Sequence, residues 1–109
     1  MGLDITFTRR KNMICPKCGE IVGHTDVDCA ESSGRNWRPI LESFGYYVPY
    51  EQRTKENDWY GKDMVLTEEQ VGEVYRFATT EEVFNGHVVA GLIAMSKIEK
   101  DVIVVNADW

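Results

Sequence analysis

The chain has 109 residues, 43% of them hydrophobic and 11% aromatic, and a net charge of −6. That length fits one domain, and that composition supplies a real core and excludes intrinsic disorder. The charge is lopsided, +1 over residues 1–40 and −7 over residues 41–109, so the larger part repels a phosphate backbone and a general nucleic-acid binder is disfavoured.

No apolar run approaches the roughly 18–20 residues of a membrane helix. Charges at Asp4, Arg9, Arg10 and Lys11 interrupt any leader, so a cytoplasmic chain with reduced thiols is expected. Gly2 and Thr6 fit the N-myristoylation pattern, although the same residues read as a strand.

In chain order, Leu3, Ile5 and Phe7 alternate with polar residues, a half-buried strand that should stop at Arg9-Arg10-Lys11. Met13 to Val22 holds Cys-Pro-Lys-Cys-Gly and reads as a second, small hairpin. Residues 23–36 are polar and read as loop. Asn36 is a possible N-cap for a short helix carrying Trp37, Ile40, Leu41 and Phe44 and stopped by Gly45.

Residues 45–66 show no period and form a long aromatic loop, with short strand pieces expected near Tyr46–Pro49 and Met64–Leu66. Thr67 opens a capping box with Gln70, followed by a helix whose stripe is Val71, Val74, Tyr75 and Ala78. Thr79-Thr80-Glu81-Glu82 offers another cap. Val83, Phe84, Val88, Leu92, Met95 and Ile98 then read as the core stripe of a further helix, which Asn85-Gly86 could interrupt. Gly91 sits in that stripe at a cost of about 1 kcal/mol against alanine, which close approach of another backbone would explain. Val102 to Val105 reads as a strand buried on both faces. The expected fold is α+β: one domain over residues 1–109, with a small sheet pairing the first and last strands under about three helices.

The chemistry concentrates in Cys15, Cys18, His24 and Cys29, spaced C-x2-C-x5-H-x4-C. Three thiolates and an imidazole complete a tetrahedral set, so one structural Zn²⁺ per chain in a knuckle over residues 13–30 is expected. Three alternatives stay open: a partial site in which His24 or Cys29 is not a ligand and either no metal is bound or His87 completes the set, a redox-active Cys15/Cys18 pair, and a catalytic zinc served by Glu20 or Glu31. The string Cys-Pro-Lys-Cys-Gly resembles the turn of zinc ribbons, and the whole spacing is similar to that of zinc knuckles with one extra residue before His24. Knuckles bind single strands through basic and aromatic neighbours. Here the neighbours Glu20, Asp26, Asp28 and Glu31 are acidic.

Tyr46, Tyr47, Tyr50, Trp59 and Tyr60 are the residue types of partner-binding hot spots, although packing of most of them onto the core is the simpler reading. Glu68-Glu69 and Glu81-Glu82 are most simply first-turn residues favoured by the helix dipole. No phosphate loop or nucleophile elbow occurs, and a non-enzymatic protein is expected.

The opening Met1-Gly2-Leu3-Asp4-Ile5, the central Trp37-Arg38-Pro39-Ile40-Leu41 and the closing Asn106-Ala107-Asp108-Trp109 resemble a loose group of small phage and prophage proteins. The resemblance brings no active residues. It implies a bacterial host cell and an accessory protein that acts by contact with a host or phage protein. An acidic inhibitor of a bacterial defence nuclease, a DNA mimic of the anti-CRISPR kind, is one form of this. A weak nucleic-acid binder using Arg9, Arg10, Lys11, Lys17, Arg35 and Arg38 is the alternative from a different class.

Overall fold

The computed structural model describes residues 3–108 except Asn57, and for Tyr50 the backbone alone. Gly2 and Trp109, on which the myristoylation pattern and the closing motif rest, lie outside the described residues.

The fold is α+β. Four strands form one antiparallel sheet: β1 (Asp4–Ile14), β2 (Ile21–Ser33), β3 (Met64–Val65) and β4 (Val102–Asp108), in the order β2-β1-β4-β3. Three helices accompany it: α1 (Arg38–Ser43), α2 (Glu68–Thr80) and α3 (Gly86–Glu99). The first and last strands pair as expected, with Ile5 opposite Ala107 and Phe7 opposite Val105.

Alternation decides the faces of the sheet. Ile5, Phe7, Ala30, Ile103, Val105 and Ala107 are buried and point towards the helices. Thr6, Thr8, Arg10 and Asn106 fall on the other face. Trp37 fills the centre, fully buried, with its ring 5.2 Å from Phe7 and 4.6 Å from Phe77. Its indole N–H donates to Ser32 Oγ at 2.9 Å, and Ser32 donates to the Phe84 carbonyl at 2.5 Å, tying the turn before α1, β2 and the α2–α3 link together.

Strand β1 does not stop at the basic run. It continues to Ile14, and the residues read as loop, 23–33, form its partner β2. The hydrogen-bond ladder supplied by β1 overrides a polar composition that carries little strand propensity of its own. Two bulges, which place Val27 and Val22 as extra residues, bend this ribbon. Its distal half extends past the helices, and the described residues measure 46 × 34 × 21 Å. Their radius of gyration is 14.5 Å, against roughly 13 Å for a chain of this length in a rounded shape.

The caps are partly as expected. Thr67 and Gln70 make the reciprocal box, at 3.2 and 2.9 Å. Gly45 ends α1 with φ +76°, and the amides of Tyr46 and Tyr47 close on the Leu41 carbonyl. Asn36 caps nothing, because a 3-10 turn over Arg35–Trp37 precedes α1. Of the two strand pieces expected in 45–66, only Met64–Val65 forms, and a 3-10 turn covers Tyr50–Gln52.

The α3 stripe needs correction. Asn85 adopts left-handed φ 56°, so α3 starts at Gly86 rather than Val83. The face turned inward is Val89, Leu92, Ile93 and Ser96, while Phe84, Val88, Met95 and Ile98 are exposed. Gly86, not Gly91, meets the chain closely: a Cβ there would stand 2.7 Å from the Ala78 carbonyl, whereas one at Gly91 would meet nothing within 4 Å.

Candidate functional site: the ribbon tip

The end of the ribbon is a tight turn closed by the Cys15 amide donating to the Glu20 carbonyl at 2.8 Å. The Gly19 amide donates to the Cys15 carbonyl at 2.9 Å, with Gly19 at φ +73°. Pro16 and Gly19 suit this geometry, one by a fixed φ and the other by tolerance of positive φ. Both thiols are free and close together. The backbone N–H of Cys18, then that of Lys17, then the Cys18 thiol are directed at the Cys15 sulfur and hold its pKa below the ordinary thiol value. A turn that aims two amides at one of a pair of sulfurs is preorganised for a thiolate and for a soft metal bound to it.

The other two expected ligands are elsewhere. His24 lies on β2 opposite Asn12, and Cys29 lies opposite Thr8. Cys29 is eight residues along β2 from Ile21, roughly 26 Å at about 3.3 Å per residue. The expected knuckle over residues 13–30 is therefore replaced by an extended ribbon, which separates ligands that a compact loop would have gathered. His87 gives no substitute, since its neighbour Asn85 bonds the Glu31 carbonyl at the opposite end of β2. Among the described residues no three of His, Cys, Asp and Glu stand together as a metal site. Cys15 and Cys18 supply half of a tetrahedral set.

The tip is flanked by apolar side chains that nothing in the body covers. Met13, Ile14, Ile21 and Val22 are 54–66% exposed, whereas Ile5 and Phe7 on the same β1 strand are 1% exposed. A self-contained hairpin over Met13–Val22 would have covered these side chains, so the patch does not follow from that expectation. The apolar residues on both sides of a polar turn were the available signal.

The aromatic loop divides. Tyr46 is fully buried and therefore not a contact residue: its hydroxyl donates to the Lys62 carbonyl at 2.6 Å and accepts the Ala107 amide at 2.8 Å. Burial, its largest influence, pushes its pKa up. Tyr47 and Trp59 pack on the core edge, Tyr47 beneath the Arg38 guanidinium at 4.5 Å. Tyr60 is 47% exposed, and the side chain of Tyr50 lies outside the described residues.

The basic run is engaged within the chain. Arg9 stands 3.5 Å from the buried Asp101, and Lys11 is 3.9 Å from both Glu99 and Asp101. Arg10 reaches Asp26 at 2.8 Å and Asp63 at 3.4 Å, which holds the Asp26 carboxyl below its ordinary range. Arg38 pairs with Glu42 at 3.6 Å. The acidic pairs Glu68-Glu69 and Glu81-Glu82 lie at opposite ends of α2, roughly 20 Å apart at 1.5 Å per residue.

These features define a class, a four-stranded α+β domain that carries a protruding β-ribbon with a dithiol tip. No protein-family model, curated protein or solved structure matches the chain. No helix among the described residues is long and apolar enough to cross a membrane.

Proposed function

We propose that this protein is a non-enzymatic adaptor that works by protein–protein contact through its ribbon. Cys15 and Cys18 grip one zinc ion, and the bound partner contributes the remaining ligands. The observation that carries this reading is the uncovered tip, where an apolar flank of Met13, Ile14, Ile21 and Val22 surrounds two adjacent thiols. Ile14 and Ile21 pair directly across the ribbon next to the turn, so the tip offers apolar contact and directional bonds together. The partner it suits is a protein with its own apolar patch and two Cys or His side chains. The resemblance to phage proteins supports a host or phage origin for that partner.

Zinc in this reading joins partners and leaves the body of the fold independent of metal. The nucleic-acid alternative loses support because Arg9, Arg10 and Lys11 already have acidic partners. The nuclease-inhibitor alternative loses support because the acidic pairs stand at opposite ends of α2 and form no single cluster.

The test is a competition titration of zinc against a chromogenic chelator on the reduced chain, with far-UV circular dichroism alongside. Expected is one zinc per chain, held weakly enough for strong chelators to remove without unfolding. Cys15→Ser and Cys18→Ser should each abolish binding, while Cys29→Ser and His24→Ala leave it unchanged. Zinc retained by Cys18→Ser, or cooperative unfolding on chelation, would overturn the reading.

A further inference from the structure

Helix α3 is apolar on both sides. Its inner face, Val89, Leu92, Ile93 and Ser96, is consumed by the sheet and α2. Its outer face carries Val88, Gly91, Met95 and Ile98, with Phe84 just ahead of the first turn. Their spacing of 4, 3, 4 and 3 residues keeps the helical residues within a narrow stripe at 100° per residue. Phe84 is 62%, Val88 41%, Met95 44% and Ile98 72% exposed. A solvent-facing stripe on a helix is ordinarily polar, and an apolar one marks a surface that another helix covers.

We propose that a second copy of this chain covers it, with the two α3 helices crossing antiparallel at Gly91. Three observations select this occupant. The stripe is symmetric about Gly91, so a two-fold axis there sets Ile98 against Phe84 of the second copy and Met95 near its Val88. An isologous contact requires that self-complementarity. Gly91 lacks a Cβ and has open space above it, so the two backbones can meet closely at the axis.

The charges agree with the direction. Glu81 and Glu82 lead into α3, and Lys97 and Lys100 stand at its end, Lys97 over the Tyr75 ring of its own chain at 5.4 Å and the nearby Asp101 engaged by Arg9 and Lys11. An antiparallel crossing sets each acidic end beside the basic end of the other copy, and a parallel one sets like charges together. Glu99 also lies at the basic end, within 3.9 Å of Lys11 of its own chain. A crossing of two 14-residue helices is a small interface, and a dissociation constant on the order of micromolar suits it.

The test uses the full chain with Cys15, Cys18 and Cys29 all replaced by serine and a chelator present. The zinc-binding tip is then absent, and success or failure here is independent of the ribbon. Sedimentation equilibrium should show a reversible dimer between roughly 1 and 500 µM, and Met95→Glu should weaken it at least 100-fold with an unchanged circular dichroism spectrum. In the same background Gly91→Cys should crosslink to its copy on diamide oxidation. Ile98→Cys should not, because an antiparallel crossing keeps the two positions about 21 Å apart.

A chain that stays monomeric at the highest concentration overturns the proposal and leaves the stripe to a different protein. Efficient Ile98→Cys crosslinking overturns the antiparallel arrangement. A dimer that Met95→Glu leaves intact overturns the assignment to α3.

Discussion

Strand β1 passes through two environments. At its start Ile5 and Phe7 lie 1% exposed beneath Trp37 and α3, and at its end Met13 and Ile14 are 54% and 62% exposed. The residue types are alike and the hydrogen-bond ladder to β2 is continuous but for its bulges. The difference is the second layer. A strand becomes core only where another element covers it, so the body of this protein is stabilised by packing and its ribbon by backbone pairing and surface ion pairs such as Arg10–Asp26.

Truncation in the body should give the largest effect. Trp37→Ala removes the central ring and leaves Ser32 without its donor, so a loss of about 3–5 kcal/mol is expected in urea unfolding. A loss below about 1 kcal/mol would mean that the core does not centre on Trp37.

Next comes the polar tie at the edge of the body. Tyr46→Phe strands the Ala107 amide and the Lys62 carbonyl, for an expected loss of about 1–3 kcal/mol. Burial raises the Tyr46 pKa above its ordinary 10.0. Its share of stability is therefore full below pH 10, where both states hold the proton. It is lost as pH rises towards the folded-state value, because the unfolded chain gives up the proton first. The melting temperature of the native protein should fall above pH 10, and Tyr46→Phe should flatten that fall.

The smallest effect on stability belongs to the ribbon. Ile14→Ser with Ile21→Ser changes side chains that are already 62% and 64% exposed, so thermal unfolding should shift by no more than about 0.5 kcal/mol. Under the proposed function, the same pair should abolish zinc-dependent capture of a partner. A large loss of stability would mean that the ribbon packs on the body and that the contrast with Ile5 and Phe7 does not hold.

Helices α2 and α3 differ in how well they could be read. The stripe of α2 is amphipathic, and Val71, Val74 and Ala78 are buried as their period requires. Only Tyr75 departs, lying 39% exposed under Lys97. For α3 the period picks out Val83, Phe84, Val88, Leu92, Met95 and Ile98, of which Leu92 is buried and Val83 packs on the core edge, while Phe84, Val88, Met95 and Ile98 are exposed. A helix apolar all round offers two equivalent stripes, and periodicity cannot say which one meets the sheet.

Features that rest on local chemistry were legible without the fold. The Thr67–Gln70 box, the Gly45 stop, the tight Cys15–Cys18 turn and the alternation of Leu3, Ile5 and Phe7 each depend on a few neighbouring residues. Tertiary structure decided the rest. The polar residues 23–33 became a strand because β1 offered them a ladder, and that strand carried Cys29 far from Cys15. Asp101, after α3, was brought to Arg9 by the β1–β4 pairing. These outcomes depend on partners distant in the chain, whose pairing energy exceeds local preference and leaves no local mark.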